Sequence, residues 1–425
     1  MTDVIVIGAG VAGVTAARGI ARRGLKVTIL EARQRIGGRI HTLRDLCDAP
    51  VEAGAELIHG KRAQTWADLK AAGLTVRPNS HGATAMMLDL GDGARWLPHA
   101  LLHPQAWRSF DVLRRLAAAP ADDMSARDFV ERCGYRGRAR LLADMVLTSH
   151  LPGSLDEIGI RGFIDDGVLE LETSPDYRVN EGYDRLVEHI GRDLDVEFGF
   201  EAQAVEWSAD GVTVVGADGG ERSARVAIST LPVGVLQSNA VRFTPELPQS
   251  KRDALAQMVM GPVLKVIMRF EQAFWPPRLA ALCSATGPVT LYWNVFYKSG
   301  YDWPVLTAYC TGPRAAAFTG LGEDETIARI IDDLHRHFPR SAPKIEAWRI
   351  VDWSADPYAR GGYTFLRPGG AGARARLAAP DTGALLWAGS ETATEPIAAT
   401  VAGAYTSGLR AARDALAMLG GVEKT

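Results

Sequence analysis

Asp3–Ile7 (DVIVI) runs straight into Gly8-Ala9-Gly10-Val11-Ala12-Gly13, and the reading of this junction decides the fold. The apolar run has the length and β-branched content of a buried parallel strand. Gly8 permits a tight turn, Gly10 lets the backbone approach a pyrophosphate, and Gly13 lets the following helix pack close to the strand. The helical stretch TAARGIARR reaches Gly24, a residue suited to ending a helix. A second strand, Lys26–Leu30 (KVTIL), delivers Glu31 at its carboxyl end, where an acidic side chain accepts hydrogen bonds from ribose hydroxyls. Glycine turns alone are common. Strand, glycines, helix, strand and acid in that order within one βαβ unit specify a dinucleotide site.

The bulk properties frame that site. A chain of 425 residues fits about two or three domain-sized units. Hydrophobic residues make up 47% and charged residues 23%, ordinary values for a globular protein. A net charge of -3 gives no basic bias toward a nucleic-acid partner. The four cysteines, Cys47, Cys133, Cys283 and Cys310, form no CxxC pair. Their scatter implies neither a metal site nor a disulfide framework and suits a reducing compartment. No signal-peptide pattern is present, and no apolar run reaches the roughly 18 residues needed to span a bilayer. The tail Gly420–Thr425 (GGVEKT) is short and polar. The expectation is a cytoplasmic protein with no membrane partner. Its oligomeric state is open, a homodimer included.

After Glu31 the chain continues as Ala32, Arg33, then Arg35, the doublet Gly37-Gly38 and Arg39. A second glycine pair flanked by arginines supplies further N–H groups and two cations for phosphate. A nicotinamide half-site does not need this, so the motif points to FAD. With these residues the sequence resembles the flavin-containing amine oxidases, which include monoamine oxidases, polyamine oxidases and lysine-specific histone demethylases. It is similar to a small, bacterial-type member.

The resemblance covers the whole chain and implies an α/β fold. A Rossmann-like FAD/NAD(P)-binding domain would take residues 1–75, 180–245 and 373–425. An α+β substrate-binding domain, interleaved with it, would take 76–179 and 246–372. Cofactor contacts are implied at Gly8, Gly10, Val11, Ala12, Gly13, Glu31, Ala32, Arg33, Gly37, Gly38 and Arg39. Val51–Gly60 (VEAGAELIHG) resembles the segment that passes along the flavin ring, with Gly54, Ala55, Glu56 and Leu57 close to it. His59 matches a histidine of animal polyamine oxidases, and its role stays open between structural and catalytic. The stretch from about residue 75 to 178 has an amphipathic, Arg-rich helical texture suited to capping a substrate pocket. Phe200–Val215 resembles the strand that meets the adenine, at Ala202.

Met260–Pro277 (MGPVLKVIMRFEQAFWPP) carries the chemistry. Alternation in VLKVIMRF indicates a strand with Lys265 in its middle. A lysine inside an apolar strand costs free energy unless paired or solvated. The resemblance implies that Lys265 holds a water against flavin N5 and assists reoxidation by oxygen. Trp353–Phe365 (WSADPYARGGYTF) implies aromatic contacts to the flavin at Trp353 and Tyr358, and a wall of the substrate cage at Tyr363. Gly389, Ser390 and Glu391 would meet the ribityl and pyrophosphate. A helix starting near Ala399 and Thr400, with Val401, would aim its positive end at the flavin's pyrimidine edge.

Two departures bear on the substrate. No cysteine lies beyond Cys310, which implies non-covalent FAD. Thr400 stands where monoamine oxidases carry the second cage aromatic, so the cage is open on one side. The resulting expectation is an FAD-dependent amine oxidase using a small-molecule amine and molecular oxygen, without a metal. A carbon–carbon desaturase of the same fold and a non-catalytic flavoprotein are the alternatives.

Overall fold

A computed structural model describes residues 2–79, 82–102, 104–118, 123–341, 343–381 and 383–420. All of the polar tail except Gly420 lies outside the described residues.

The first strand, β1, spans Thr2–Ile7, and the helix α1 spans Val11–Ala21. The helix therefore starts directly after Gly10, and Gly13 lies in its first turn. A second strand, β2, covers Val27–Glu31 and ends on the acid expected there. β1 lies between β2 and Glu221–Ser229, parallel to both. Asp195–Phe198 extends the parallel array beyond β2, and Leu385–Trp387 pairs parallel with Glu221–Ser229. Val212–Gly216 and Ala202–Trp207 continue the sheet as an antiparallel hairpin. Parallel strands need crossovers, and here they bring chain segments distant in sequence into one buried sheet. This is the α/β, Rossmann-like architecture expected from the first thirty-odd residues.

The C-terminal helix α2, Val401–Met418, packs on α1 through small residues. A methyl group added at Gly408 would come 2.4 Å from the Ala12 carbonyl oxygen, and one at Gly19 would come 3.0 Å from Ala412 Cβ. Residues 12 and 19 thus meet 408 and 412 in the same sense, so the two helices run the same way. Their N-terminal ends point toward one side of the sheet.

A second sheet of seven strands has the order Ile345–Asp352, Val263–Phe270, Val305–Thr311, Leu291–Asn294, Ala281–Ser284, Met86–Asp89, Arg95–Trp96. Val263–Phe270, here β3, is its strand with Lys265. It pairs antiparallel with neighbours on both sides. The residues from 75 to 178 form helices such as Gly137–His150, but they are not helical throughout. Met86–Asp89 joins the second sheet, and Asp176–Val179 pairs with Ile58–His59 and Val76–Pro78. Short strands of this kind carry little periodic signal and form because partners from elsewhere complete their hydrogen bonds. Among the described residues, no helix is long and apolar enough to cross a membrane.

Candidate active site

The two glycine motifs meet. Gly37 N–H donates to Ala9 O at 2.9 Å, and a methyl group on Gly38 would sit 3.4 Å from Gly10 Cα. A methyl on Gly13 would lie 2.0 Å from the Gly8 carbonyl oxygen, whereas one on Gly10 would meet nothing within 4 Å. Gly13 is thus required by packing, and Gly10 faces open space where a ligand can approach the backbone. Glu31 is buried at the strand end, its two carboxylate oxygens accepting from Ala9 N–H at 2.7 Å and Arg33 N–H at 2.9 Å. Each oxygen keeps a lone pair for a further donor.

Two helix starts converge on this region. Among the described residues, the N–H groups of Ala12 in α1, and of Val401 and Ala402 in α2, have no protein acceptor. Such orphan donors, with the positive end of the helix dipole, favour anionic groups. Ala399 adopts φ +58, a left-handed conformation that is uncommon for a residue with a side chain. Its N–H donates to Ser390 O at 3.2 Å, tying the start of α2 to the Gly389–Glu391 turn. Open Gly10, acceptor Glu31 and two free helix starts fit a dinucleotide-bearing flavin.

The arginines around the second glycine pair also bind groups of the protein itself. Arg35 folds back onto its own loop, donating to the carbonyls of Ile36, Gly38 and Ile40 at 3.2, 2.9 and 3.1 Å. It shapes the glycine turn. Arg39 donates to Gly362 O at 2.9 Å and pairs with Glu391 at 2.6 Å. It joins the second glycine pair to the C-terminal signature. Arg33 pairs with Asp356 at 2.5 Å and lies 5.1 Å from the centre of the Tyr358 ring. Tyr358 donates to Glu201 at 3.0 Å, next to Ala202 at the head of its strand. It therefore sits with the Glu31 end of the fold.

That aromatic group is compact. Trp353 is buried with Val263 and Ala359, and Tyr309, Val351 and Tyr363 pack against them. The Trp353 indole N–H donates to Ala53 O at 3.1 Å. Tyr363 and Tyr309 share a hydroxyl–hydroxyl bond of 3.1 Å. Burial pushes the Tyr363 phenol up to about 12, so both rings stay neutral near pH 7. Tyr309 stands directly opposite Lys265 in the sheet, which puts both side chains on one face.

Lys265 is buried, and its ammonium reaches Gly54 O at 2.8 Å, Glu52 O at 3.2 Å and Glu56 Oε2 at 3.1 Å. The Trp293 ring centre lies 5.1 Å away. All three N–H donors have protein acceptors here. Holding a water, as the resemblance implies, requires one of these bonds to yield, and the long bond to Glu52 is the weakest. Burial would push the Glu56 carboxyl up, but the charges of Arg178 and Lys265 outweigh it and hold it below its ordinary value. Glu52 moves the other way, pushed up to about 8 by burial. A polar cavity of about 20 Å³ lies beside both, with Arg77, Arg178 and Tyr301 in its lining. It admits about one water.

Two expected substrate-pocket residues have partners within the protein. The Thr400 hydroxyl caps α2, accepting from Gly403 N–H at 3.0 Å and donating to Ile397 O at 2.6 Å. His59 meets Asp176 at 2.7 Å across the small three-stranded sheet. The side chains of Arg178, Glu52, Tyr309 and Trp293 were not singled out from sequence, and Glu56 was expected only as a contact along the flavin ring. For Tyr309 the signal was available in the alternation of Val305–Thr311, but the face that looks toward the site depends on the sheet.

The sequence pattern of the family described as flavin containing amine oxidoreductase matches residues 11–416. The chain belongs to that family. It is an FAD-dependent oxidoreductase acting on amines. Polyamine oxidase 5 of Oryza sativa subsp. japonica is 28% identical over 97% of this chain and 87% of its own length. Human lysine-specific histone demethylase 2 is 25% identical over 96% of this chain and 53% of its own length. Among solved structures, a putrescine oxidase double mutant aligns with a TM-score of 0.84 at 21% identity, covering 98% of this chain and 99% of that one. Cyclohexylamine oxidase from Brevibacterium oxydans aligns at 0.83 and 22%, covering 99% of both chains. At such identities the structural likeness speaks for the fold of this amine oxidoreductase.

Proposed function

We propose that this protein is an oxidase of small amines that yields an imine and hydrogen peroxide, with water converting the imine to a carbonyl compound and an amine. FAD, held by the site residues, would supply the two-electron acceptor for hydride from the carbon next to nitrogen, with oxygen as the final acceptor. The single observation that carries the reading is Lys265, a buried ammonium held against the Glu52–Glu56 segment and on the same sheet face as Tyr309.

Each site residue has a stated part in this reading. Glu31, Gly10 and the starts of α1 and α2 bind the cofactor, with Ala202 and Tyr358 at its adenosine end. Tyr363 and Tyr309 orient a neutral amine and exclude water around it, and Trp353 packs at the flavin side. The Thr400 hydroxyl shapes the helix start, leaving bulk near it as its effect on substrate. Cofactor binding is non-covalent, supported by the absence of a cysteine after Gly362. The division into 1–75, 180–245 and 373–425 against 76–179 and 246–372 belongs to the same proposal. Its support is that the first sheet draws its strands from the former set and the second from the latter.

An ammonium nitrogen has no lone pair to drive hydride loss, so activity rises with pH as the substrate deprotonates. The test uses holoprotein under anaerobic conditions with a panel of primary and secondary amines. Bleaching of the flavin by at least one amine, followed by peroxide on admitting air, is expected. Bleaching only by substrates lacking nitrogen supports the desaturase alternative, and no bleaching at all supports a non-catalytic flavoprotein. Acid precipitation of the same sample should leave the yellow colour in the supernatant.

A further inference from the structure

The Glu56 carboxylate is shared between cations from two different sheets. Its Oε2 accepts from Lys265 on β3 at 3.1 Å, and its Oε1 accepts from Arg178 on the Asp176–Val179 strand. The side chains of Lys265, Glu56 and Arg178 are only 5%, 9% and 10% exposed. Arg178 is anchored at its far side, its Nε donating to Asn79 Oδ1 at 2.6 Å. Arg77 stands nearby, bonded to Asn180 Oδ1 at 2.9 Å. Three cations therefore crowd the site. Glu52, pushed up to about 8, is largely neutral at pH 7, which leaves Glu56 as the balancing anion.

We propose that Glu56 is a positioning residue for Lys265: anchored by Arg178, its carboxylate keeps the ammonium charged and fixed against the carbonyls of Glu52 and Gly54. The inference rests on the reading of Lys265 given above and adds a residue from a different element. Without Glu56 the ammonium keeps two neutral carbonyl acceptors and the Trp293 ring, with the like charges of Arg178 and Arg77 close by. Burial and like charge both disfavour the protonated amine. The anion is thus what makes a charged lysine tolerable at this place, and the bridge to Arg178 sets where it sits.

The test is Glu56→Gln, alone and combined with Lys265→Met, each as FAD-loaded protein. Glutamine keeps the shape, but its amide has only one acceptor oxygen and cannot serve both cations. The holoproteins are reduced by light without amine, mixed with oxygen, and followed from neutral to alkaline pH. E56Q is expected to reoxidise several-fold more slowly at alkaline pH and to approach the parent rate as pH falls. K265M is expected to be slow at every pH, and adding E56Q to it should change nothing further. Melting temperatures of the four proteins give an independent readout, and the two substitutions should be non-additive there as well.

E56Q tracking the parent at every pH would overturn the proposal. So would an equal slowing with and without Lys265, because Glu56 would then be structural only. K265M that reoxidises like the parent removes both this inference and the reading beneath it, whereas slow K265M with indifferent E56Q removes this one alone. If E56Q does not fold, Glu56→Asp keeps the charge but shortens the reach by one methylene. It should be slow with the parent's pH profile, and a parent-like rate in E56D counts against the proposal.

Discussion

Two lysines are buried among the described residues, and they do different things. Lys251, on the Gln249–Gln257 helix, is 1% exposed and donates to the carbonyls of Arg376 and Leu377 at 3.1 and 2.7 Å, and to that of Ala379. It closes the C-terminal end of the Ala373–Ala378 helix, with Asp381 at 3.8 Å and the Trp387 ring centre at 5.2 Å. Lys265 binds two carbonyls of an irregular segment and a carboxylate tied to a second cation. Lys251 satisfies helix-end carbonyls that would otherwise be orphaned. Lys265 sits on a sheet face shared with Tyr309 and against the Glu52–Glu56 segment. Burial of a lysine is therefore no signature of chemistry. The elements that converge on it are.

Replacing each lysine by methionine separates the two cases. Lys265→Met should slow reoxidation of the reduced cofactor by roughly 10²-fold, the usual scale for losing one preorganised charged donor. Anaerobic reduction by amine should suffer less, because it depends on substrate geometry. Stopped-flow measurement of the two half-reactions checks this, and a collapse of reduction alone would move Lys265 to the substrate side.

Lys251→Met should leave both half-reactions near the parent values per bound flavin. It should instead cost about 2–4 kcal/mol of stability, by leaving buried carbonyls without donors. Thermal melts of the holoprotein measure it. A catalytic defect in K251M at full flavin loading would erase the distinction between the two sites.

The smallest effect concerns Glu52. Its carboxyl is raised from 4.5 to about 8, with burial as the largest cause and hydrogen bonds from Tyr183 N–H and Thr42 opposing it. A group raised on folding contributes stability that is present below pH 4.5 and lost as pH climbs through 8. Glu52→Gln should flatten that decline in melting temperature. A parent curve no steeper than the variant's would mean that Glu52 is ionised in the fold, and the Lys265 site would then hold two anions rather than one.

Lys265 was visible in the sequence because it interrupts an alternating apolar strand. Lys251 was not, because a lysine in QSKRDALAQ looks like any residue on a helix surface. The arginines around the second glycine pair show a related limit. Their composition suggested phosphate ligands, yet Arg35 closes its own turn and Arg39 bridges to Glu391. A guanidinium takes whichever carbonyls and carboxylates the fold brings within reach, and residue type alone does not say which.

From the sequence by itself came the βαβ unit, the acid at the end of β2 and the anomalous strand lysine, while the helix start near Thr400 came from the family resemblance. The first three are local: glycine turn chemistry and strand alternation act over a few residues, so short stretches specify them. The tertiary structure alone decided that Glu56 bridges Lys265 and Arg178, 209 and 122 positions away, and that Tyr309 meets Tyr363 across 54. It also decided that Tyr358 joins Arg33 and Glu201. Those partners are chosen by sheet register and by the packing of α2 on α1. Pairings over such separations leave no periodic trace in the chain, because what selects them is the burial and charge balance of the assembled core.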